Sequence, residues 1–165
     1  MIDKSRLLDA LRARVAADRE ALERRQRDAQ AGSTHEESRA EHAKDTRATE
    51  QSYLARGLAD RVEELARTAA ALDALPLKHF APDDPIAITA LVVLESESDE
   101  SECERQTWWL VAGAGGFELE EGGVTVRTAT PVSPVGRALL GLQTGDEGIW
   151  RTPRGERRFE VLEVH

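Results

Sequence analysis

All six prolines of this 165-residue chain lie beyond position 75, together with ten of its twelve glycines. Proline removes a backbone donor and glycine costs helix stability, so a long stretch without proline is free to run as helix. Only Gly32 and Gly57 interrupt the first 75 residues, which are dominated by Arg, Glu, Ala and Leu. The rest of the chain holds all three tryptophans and most β-branched residues. The break falls at Leu75-Pro76, and the segment LPLKHFAPDDP reads as a linker. The expected organisation is a helical part over 1–75, a linker over 76–85 and a second domain over 86–165.

Charge follows the same division. Residues 1–75 carry 14 basic and 15 acidic side chains, and residues 76–165 carry 8 and 16, for a total of −9. No part resembles a basic domain for duplex DNA. With 40% hydrophobic and 32% charged residues the chain can bury one modest core under a charged surface. The single cysteine, Cys103, excludes an intramolecular disulfide framework and a cysteine zinc cage, and fits a reducing compartment. The N-terminus mixes charges every few residues and has no apolar signal-peptide core. No run approaches the ~18 apolar residues of a membrane span. The expectation is a cytoplasmic protein with no membrane partner.

Helical periodicity appears twice in the first part. Leu8, Leu11, Val15 and Leu22 form one seam, interrupted by Asp18. Leu58, Val62, Leu65, Ala69 and Leu72 form the other. Between about Arg24 and Gln51 the seam fades. Gly32 is placed to end the first helix. Ser33 or Thr34 is placed to cap the next, with Glu36 or Glu37 three residues on as a capping box. The pattern predicts an antiparallel helical hairpin with arms near 3–31 and 35–74, roughly 40 Å long at ~1.5 Å per residue. Its polar far end has two readings. One is a solvated tip stitched by pairs such as Glu20–Arg24 and Glu23–Arg27, each worth ~0.3–0.5 kcal/mol. The other is a probe that presents polar chemistry far from its own core. Arg24, Arg25 and Arg27 fit a salt-bridged face or a contact with RNA. His35 and His42 are seven apart, a spacing that can put both on one helix face with Glu41, but a zinc site there needs a third well-placed ligand.

The second part reads as strands. Ile86–Leu94 (IAITALVVL), Gln106–Val111 (QTWWLV) and Val124–Thr130 (VTVRTAT) are three of them. Glu95–Glu104 carries six acids in ten residues and reads as a solvated loop. Trp108 and Trp109 alternate across the strand, one expected in the core and the other a candidate docking surface. Ser133 is placed as N-cap of a short helix, VGRALL, with Pro134 at its first position and Gly141 as terminator. Gly148–Thr152 and Arg157–Val164 flank Pro153-Arg154-Gly155 as a closing hairpin. The fold class is α+β: an N-terminal helical hairpin, then a small antiparallel sheet with one short helix.

The segment PVSPVGRALLGLQTGDEGIWRTPRGERRFEVLEV (131–164) resembles the C-terminal signature of the GreA/GreB transcription elongation factors. That signature runs Ser-Pro-x-x-Arg-Ala-Leu-x-Gly, then Gly-Asp-Glu, then Thr-Pro-x-Gly-Glu and a closing Glu-Val. Matching positions include Ser133, Pro134, Arg137, Ala138, Leu139, Gly141, Gly145, Asp146, Glu147, Thr152, Pro153, Gly155, Glu156, Glu163 and Val164. The resemblance implies an FKBP-like C-terminal domain that docks at the secondary channel of bacterial RNA polymerase. Ser133, Pro134, Arg137, Leu139 and Leu140 are then candidate partner-binding residues.

It further implies that the hairpin enters the channel and that acidic tip residues help hold a second Mg²⁺ at the polymerase active site. There the polymerase cleaves the 3′ end of a backtracked transcript. Such a protein is an accessory factor, not an enzyme by itself. It is expected to act as a monomer, with no cofactor of its own, meeting the nascent RNA 3′ end only indirectly. Aligned on Gly32, the family's tip Gly-Asp-Leu-x-Glu-Asn corresponds to Gly32-Ser33-Thr34-His35-Glu36-Glu37. Glu36 matches the family glutamate and Glu37 is a neighbouring carboxylate, while Ser33 stands where the family has aspartate. A hydroxyl is a poorer Mg²⁺ ligand than a carboxylate. The alternatives are a non-cleaving regulator that blocks the channel and a structural coiled-coil protein. A prolyl isomerase is suggested by the FKBP-like fold alone.

Overall fold

The computed structural model describes residues 2–35, 44–97, 103–152 and 155–165. Two long helices come first, α1 (Lys4–His35) and α2 (Lys44–Asp73). A six-stranded sheet with one short helix follows: β1 (Leu91–Glu97), β2 (Cys103–Leu110), β3 (Glu118–Glu121), β4 (Val124–Ala129), α3 (Pro134–Leu139), β5 (Glu147–Thr152) and β6 (Gly155–Val164). The chain forms two compact units, one of residues 12–70 and one of residues 1–11 with 71–165.

In the helical unit, Val15 is fully buried. Leu58, Val62, Leu65 and Ala69 are half-buried at the spacing the sequence predicts, while Tyr53 and Leu54 are exposed. Arg24 pairs with Glu20 as expected (3.4 Å). The expected Glu23–Arg27 pair is replaced: the Glu23 carboxylate takes Arg19 at 2.8 Å, and Arg27 Nε donates to the Glu23 backbone carbonyl.

Gly32 does not end α1, which continues to His35. A single glycine inside a helix costs only about 1 kcal/mol, too little to end a 32-residue helix by itself. Ser33 and Thr34 therefore belong to the last turn of α1 instead of capping α2. Glu36 and Glu37 lie outside the described residues, as do Glu41 and His42.

The sheet order is β3-β4-β2-β1-β6-β5. All neighbours are antiparallel except β2 and β4, which run parallel. The expected antiparallel sheet is thus present with one parallel pair inside it. A parallel pair needs a crossover, and the chain supplies one by turning through 111–117 and inserting β3 at the sheet edge. β3 (ELEE) is too acidic to read as a strand. It is made by the two-residue turn Gly122-Gly123, where both residues take the positive φ that such hairpins require (+60° and +77°).

β1 starts later than expected because Ile86 is tied elsewhere. Its amide donates to the Leu142 carbonyl, and its own carbonyl accepts from Gly141. At the other end β1 and β2 run into the acidic segment, pairing Glu95 with Arg105 and Ser96 with Glu104. Residues 98–102 lie outside the described residues.

Both sheet faces are buried at the centre. Val92, Leu94, Leu110, Trp150, Phe159 and Val161 belong to the core that also includes Leu139 of α3. Leu91, Val93 and Trp109 alternate onto the other face and are also buried, Trp109 completely. The same unit buries Leu7, Leu8, Leu11 and Leu72 at the helix bases.

Asp3 caps α1, its carboxylate accepting from the Ser5 amide at 2.8 Å. Next to it the Lys4 ammonium donates to the carbonyls of Lys78, Thr89 (3.1 Å) and His165 (2.9 Å) and lies 4.9 Å from the Phe80 ring. Burial holds the Lys4 pKa below its ordinary value. Folding therefore favours the neutral amine, and this group's share of stability rises as pH climbs through the lowered pKa.

Thr89 is buried with φ +77°, a conformation costly for a β-branched residue. Its Oγ1 accepts from the Lys78 amide, and its amide donates to Leu110. Lys4→Met is expected to lower stability by about 1–3 kcal/mol. Urea unfolding reads this, with Thr89→Gly in the same background restoring part of the loss. An unchanged midpoint for Lys4→Met would show that the three carbonyls are equally well served by water.

Candidate partner-binding site

The local sequence TPVSPVGRALLG builds α3 with few free choices. Ser133 is its N-cap: Oγ accepts from the Gly136 amide at 3.0 Å, and the same hydroxyl donates to the Thr130 carbonyl at 2.8 Å. Pro134 follows in the first turn, where a missing N–H leaves nothing unsatisfied. Gly136 passes so close to Thr130 that a Cβ there would strike the Thr130 carbonyl. Gly141 leaves the helix at φ +83°.

The residues singled out from sequence separate by role. Leu139 is fully buried in the core, so its side chain packs α3 and presents nothing to a partner. Ser133 is partly buried and spent on the cap. Pro134 and Arg137 are exposed. Leu140, at the C-cap, is 38% exposed, and Val132, just before the cap, is 77% exposed. Val132 did not stand out in the sequence. It lies between two prolines in a loop and takes part in no periodic pattern. Val132, Pro134 and Leu140 are thus exposed apolar residues within or next to one short helix, which also carries the exposed Arg137. Ile149 is also exposed, but it alternates with buried Trp150 and projects from the other sheet face.

Of the expected tip residues, Glu36 and Glu37 lie outside the described residues, and Ser33 belongs to α1. Among the described residues no group of three or more His, Cys, Asp or Glu side chains is arranged to hold a metal ion. No described helix is long and apolar enough to cross a membrane. Cys103 is exposed at the start of β2.

The chain thus sets a helical pair before a six-stranded sheet that carries an N-capped Ser-Pro helix. Residues 81–165 match the family described as transcription elongation factor, GreA/GreB, C-term. The chain is 31% identical over 125 residues to the transcription elongation factor GreA of Syntrophus aciditrophicus, covering 76% of this chain and 70% of that protein. It is 28% identical over 159 residues to GreA of Anaeromyxobacter sp. strain K, covering 96% and 86%. The match to GreA of Desulfotalea psychrophila spans 41% of that protein. Among solved structures it is similar to the transcription factor Gfh1, with 22% identity, a TM-score of 0.41 and coverage of 93% and 92% of the two chains. The chain belongs to the GreA/GreB family of transcription elongation factors.

Proposed function

We propose that this protein docks on bacterial RNA polymerase at the secondary channel and brings its helical tip towards the active site, modulating elongation and rescuing backtracked complexes. The observation that carries the reading is family membership over the sheet unit, joined to the exposed Val132, Pro134 and Leu140 around α3. In this reading the sheet unit supplies affinity. Glu36 and Glu37 supply the carboxylates, and the Mg²⁺ is shared with the polymerase, which performs the chemistry. A hard divalent ion takes oxygen ligands, and a second metal at such a site supplies charge stabilisation in phosphodiester cleavage. The factor has no catalytic activity alone, carries no cofactor of its own and meets RNA only through the polymerase.

A second reading has specific support. Ser33 stands where cleaving members have aspartate, which favours a factor that occupies the channel without strong cleavage. Both readings share the docking step.

Co-purification with core RNA polymerase tests that step. A Val132→Asp, Leu140→Asp double variant is expected to bind at least about tenfold more weakly, since two apolar contacts are replaced by charges that must be desolvated. Its melting temperature should stay near that of the natural chain, because both side chains are solvent-exposed. Full binding by the double variant would move the docking surface away from α3.

A further inference from the structure

The sheet ends at β5 on one side and at β3 on the other. An edge strand keeps a row of backbone donors and acceptors that no neighbour in its own sheet takes. In β5 the phase of that row is fixed by packing. The Phe159 ring lies so close to Gly148 that a Cβ there would strike it, and buried Trp150 sits 4.8 Å from the same ring, centroid to centroid. Residues 148 and 150 therefore face the core, while Glu147, Ile149 and Arg151 are exposed on the opposite face.

The ladder to β6 sets the backbone of the same three residues. The Val161 amide donates to the Asp146 carbonyl, and bonded residues alternate along an antiparallel pair. In the register that pairs Glu147 with Glu160, residues 148, 150 and 152 bond β6. Glu147, Ile149 and Arg151 then turn their N–H and C=O groups out of the sheet. Along this open edge the side chains run acid, apolar, base. An antiparallel second copy centred on Ile149 sets Ile149 against Ile149 and Glu147 against Arg151 at both ends. Each of the three residues then exchanges both backbone hydrogen bonds with its partner. A shift of two residues in either direction sets Ile149 against a charge and loses a pair.

The charged groups are available for that arrangement. Glu147 makes no ion pair with another described residue. Arg151 donates to Glu156 through Nε at 3.1 Å, with its side chain 86% exposed. That surface contact uses one donor of the guanidinium fork, so a second carboxylate adds to it without breaking it. The other edge shows the contrast. β3 carries Glu118, Glu120 and Glu121 around buried Leu119, so a second copy there would set acid against acid.

We propose that β5 is a self-recognition edge, at which two copies of this chain join by antiparallel β5–β5 pairing, with the twofold axis between their Ile149 residues. The interface is isologous, each copy offering the same patch. The strand is six residues long, so the contact belongs to the small, transient class of interfaces. The chain is then monomeric when dilute and paired when concentrated. Nothing in the proposal depends on polymerase binding.

Sedimentation equilibrium of the full chain at up to about 1 mM, the weak end of specific association, tests it. The natural chain should pass reversibly from monomer to dimer, and hydrogen exchange of the Ile149 amide should slow over the same range. Glu147→Arg and Arg151→Glu each set like charges opposite one another at both ends, and each should weaken self-association by about tenfold or more. Mixed in equal amounts, the two variants should associate with each other more tightly than either does with itself, because every charged pair in the mixed dimer joins opposite signs. Both positions are exposed, so melting temperatures should stay near that of the natural chain. Ile149→Pro removes only an outward amide and should abolish the dimer. A chain that stays monomeric throughout, or a dimer that the charge reversals leave unchanged, would overturn the proposal. So would mixed variants that associate no better than either alone.

Discussion

An S33D variant is expected to support cleavage of backtracked transcripts at least roughly tenfold faster than the natural chain, at fixed Mg²⁺ on a stalled complex. The magnitude is that of restoring one charged oxygen near a metal, where loss of a supporting group costs 10- to 100-fold. Ser33 lies in the last turn of α1, and its neutral hydroxyl stands at the family's aspartate position. Glu36→Ala should remove whatever cleavage exists while co-purification with polymerase is nearly unchanged, since the proposed docking residues belong to the sheet unit. Strong natural cleavage untouched by Glu36→Ala would show that the alignment at Gly32 is misplaced. Glu37, Glu41 and Asp45 would then be the carboxylates to substitute. Tight binding with no cleavage in any variant, and slower nucleotide addition, would select the channel-blocking reading.

Gly136→Ala is expected to be the most damaging single methyl in the sheet unit. The added Cβ would meet the Thr130 backbone carbonyl, which cannot rotate away as a flexible side chain can. That carbonyl also accepts from both the amide and the hydroxyl of Ser133, so displacing it disturbs the N-cap as well. A loss of about 3 kcal/mol is expected, or roughly 10 °C in melting temperature for a chain of this size. Ser133→Ala is the natural comparator and should cost only about 1 kcal/mol. Calorimetric melting of the three proteins gives the ranking. A Gly136→Ala protein that melts within a degree or two of the natural chain would mean that the strand end at Thr130 yields freely.

The parts of this fold that were legible share one property: each is specified by residues adjacent in the chain. The Ser133-Pro134 helix start, the Gly141 exit and the seam of Leu58, Val62, Leu65 and Leu72 are local patterns, and the structure contains them. The corrected parts depend on pairing and not on side-chain composition. β3 exists because Glu118–Glu121 pairs with β4 across the Gly122-Gly123 turn, not because its side chains favour a strand. The parallel β2–β4 pairing follows from that insertion. The start of β1 is set by Ile86 bonding to Leu142 and Gly141.

At the candidate site the same distinction holds. Ser133 and Pro134 were visible as a cap motif, but the burial of Leu139 and the exposure of Val132 are properties of the folded sheet. The cross-strand pairs Trp108–Arg127 and Trp150–Arg157 were less visible still, since each forms only through strand register. Alternation within β2 separates Trp108 from Trp109, yet it gives no hint that each of two tryptophans has an arginine across the ladder.

The boundary between the two compact units passes near residues 11 and 70, inside α1 and inside α2, and not through the proline-rich segment where the composition changes. The residues 12–70 are therefore a cassette grafted at two points of continuous helix. Each graft point keeps its backbone hydrogen bonding in register, so the cassette can be exchanged or resized in steps that preserve helical phase. Leu7, Leu8, Leu11 and Leu72 remain behind as part of the sheet unit's own interior. A change of length within residues 12–70 therefore has to keep the helical phase of both α1 and α2 at once.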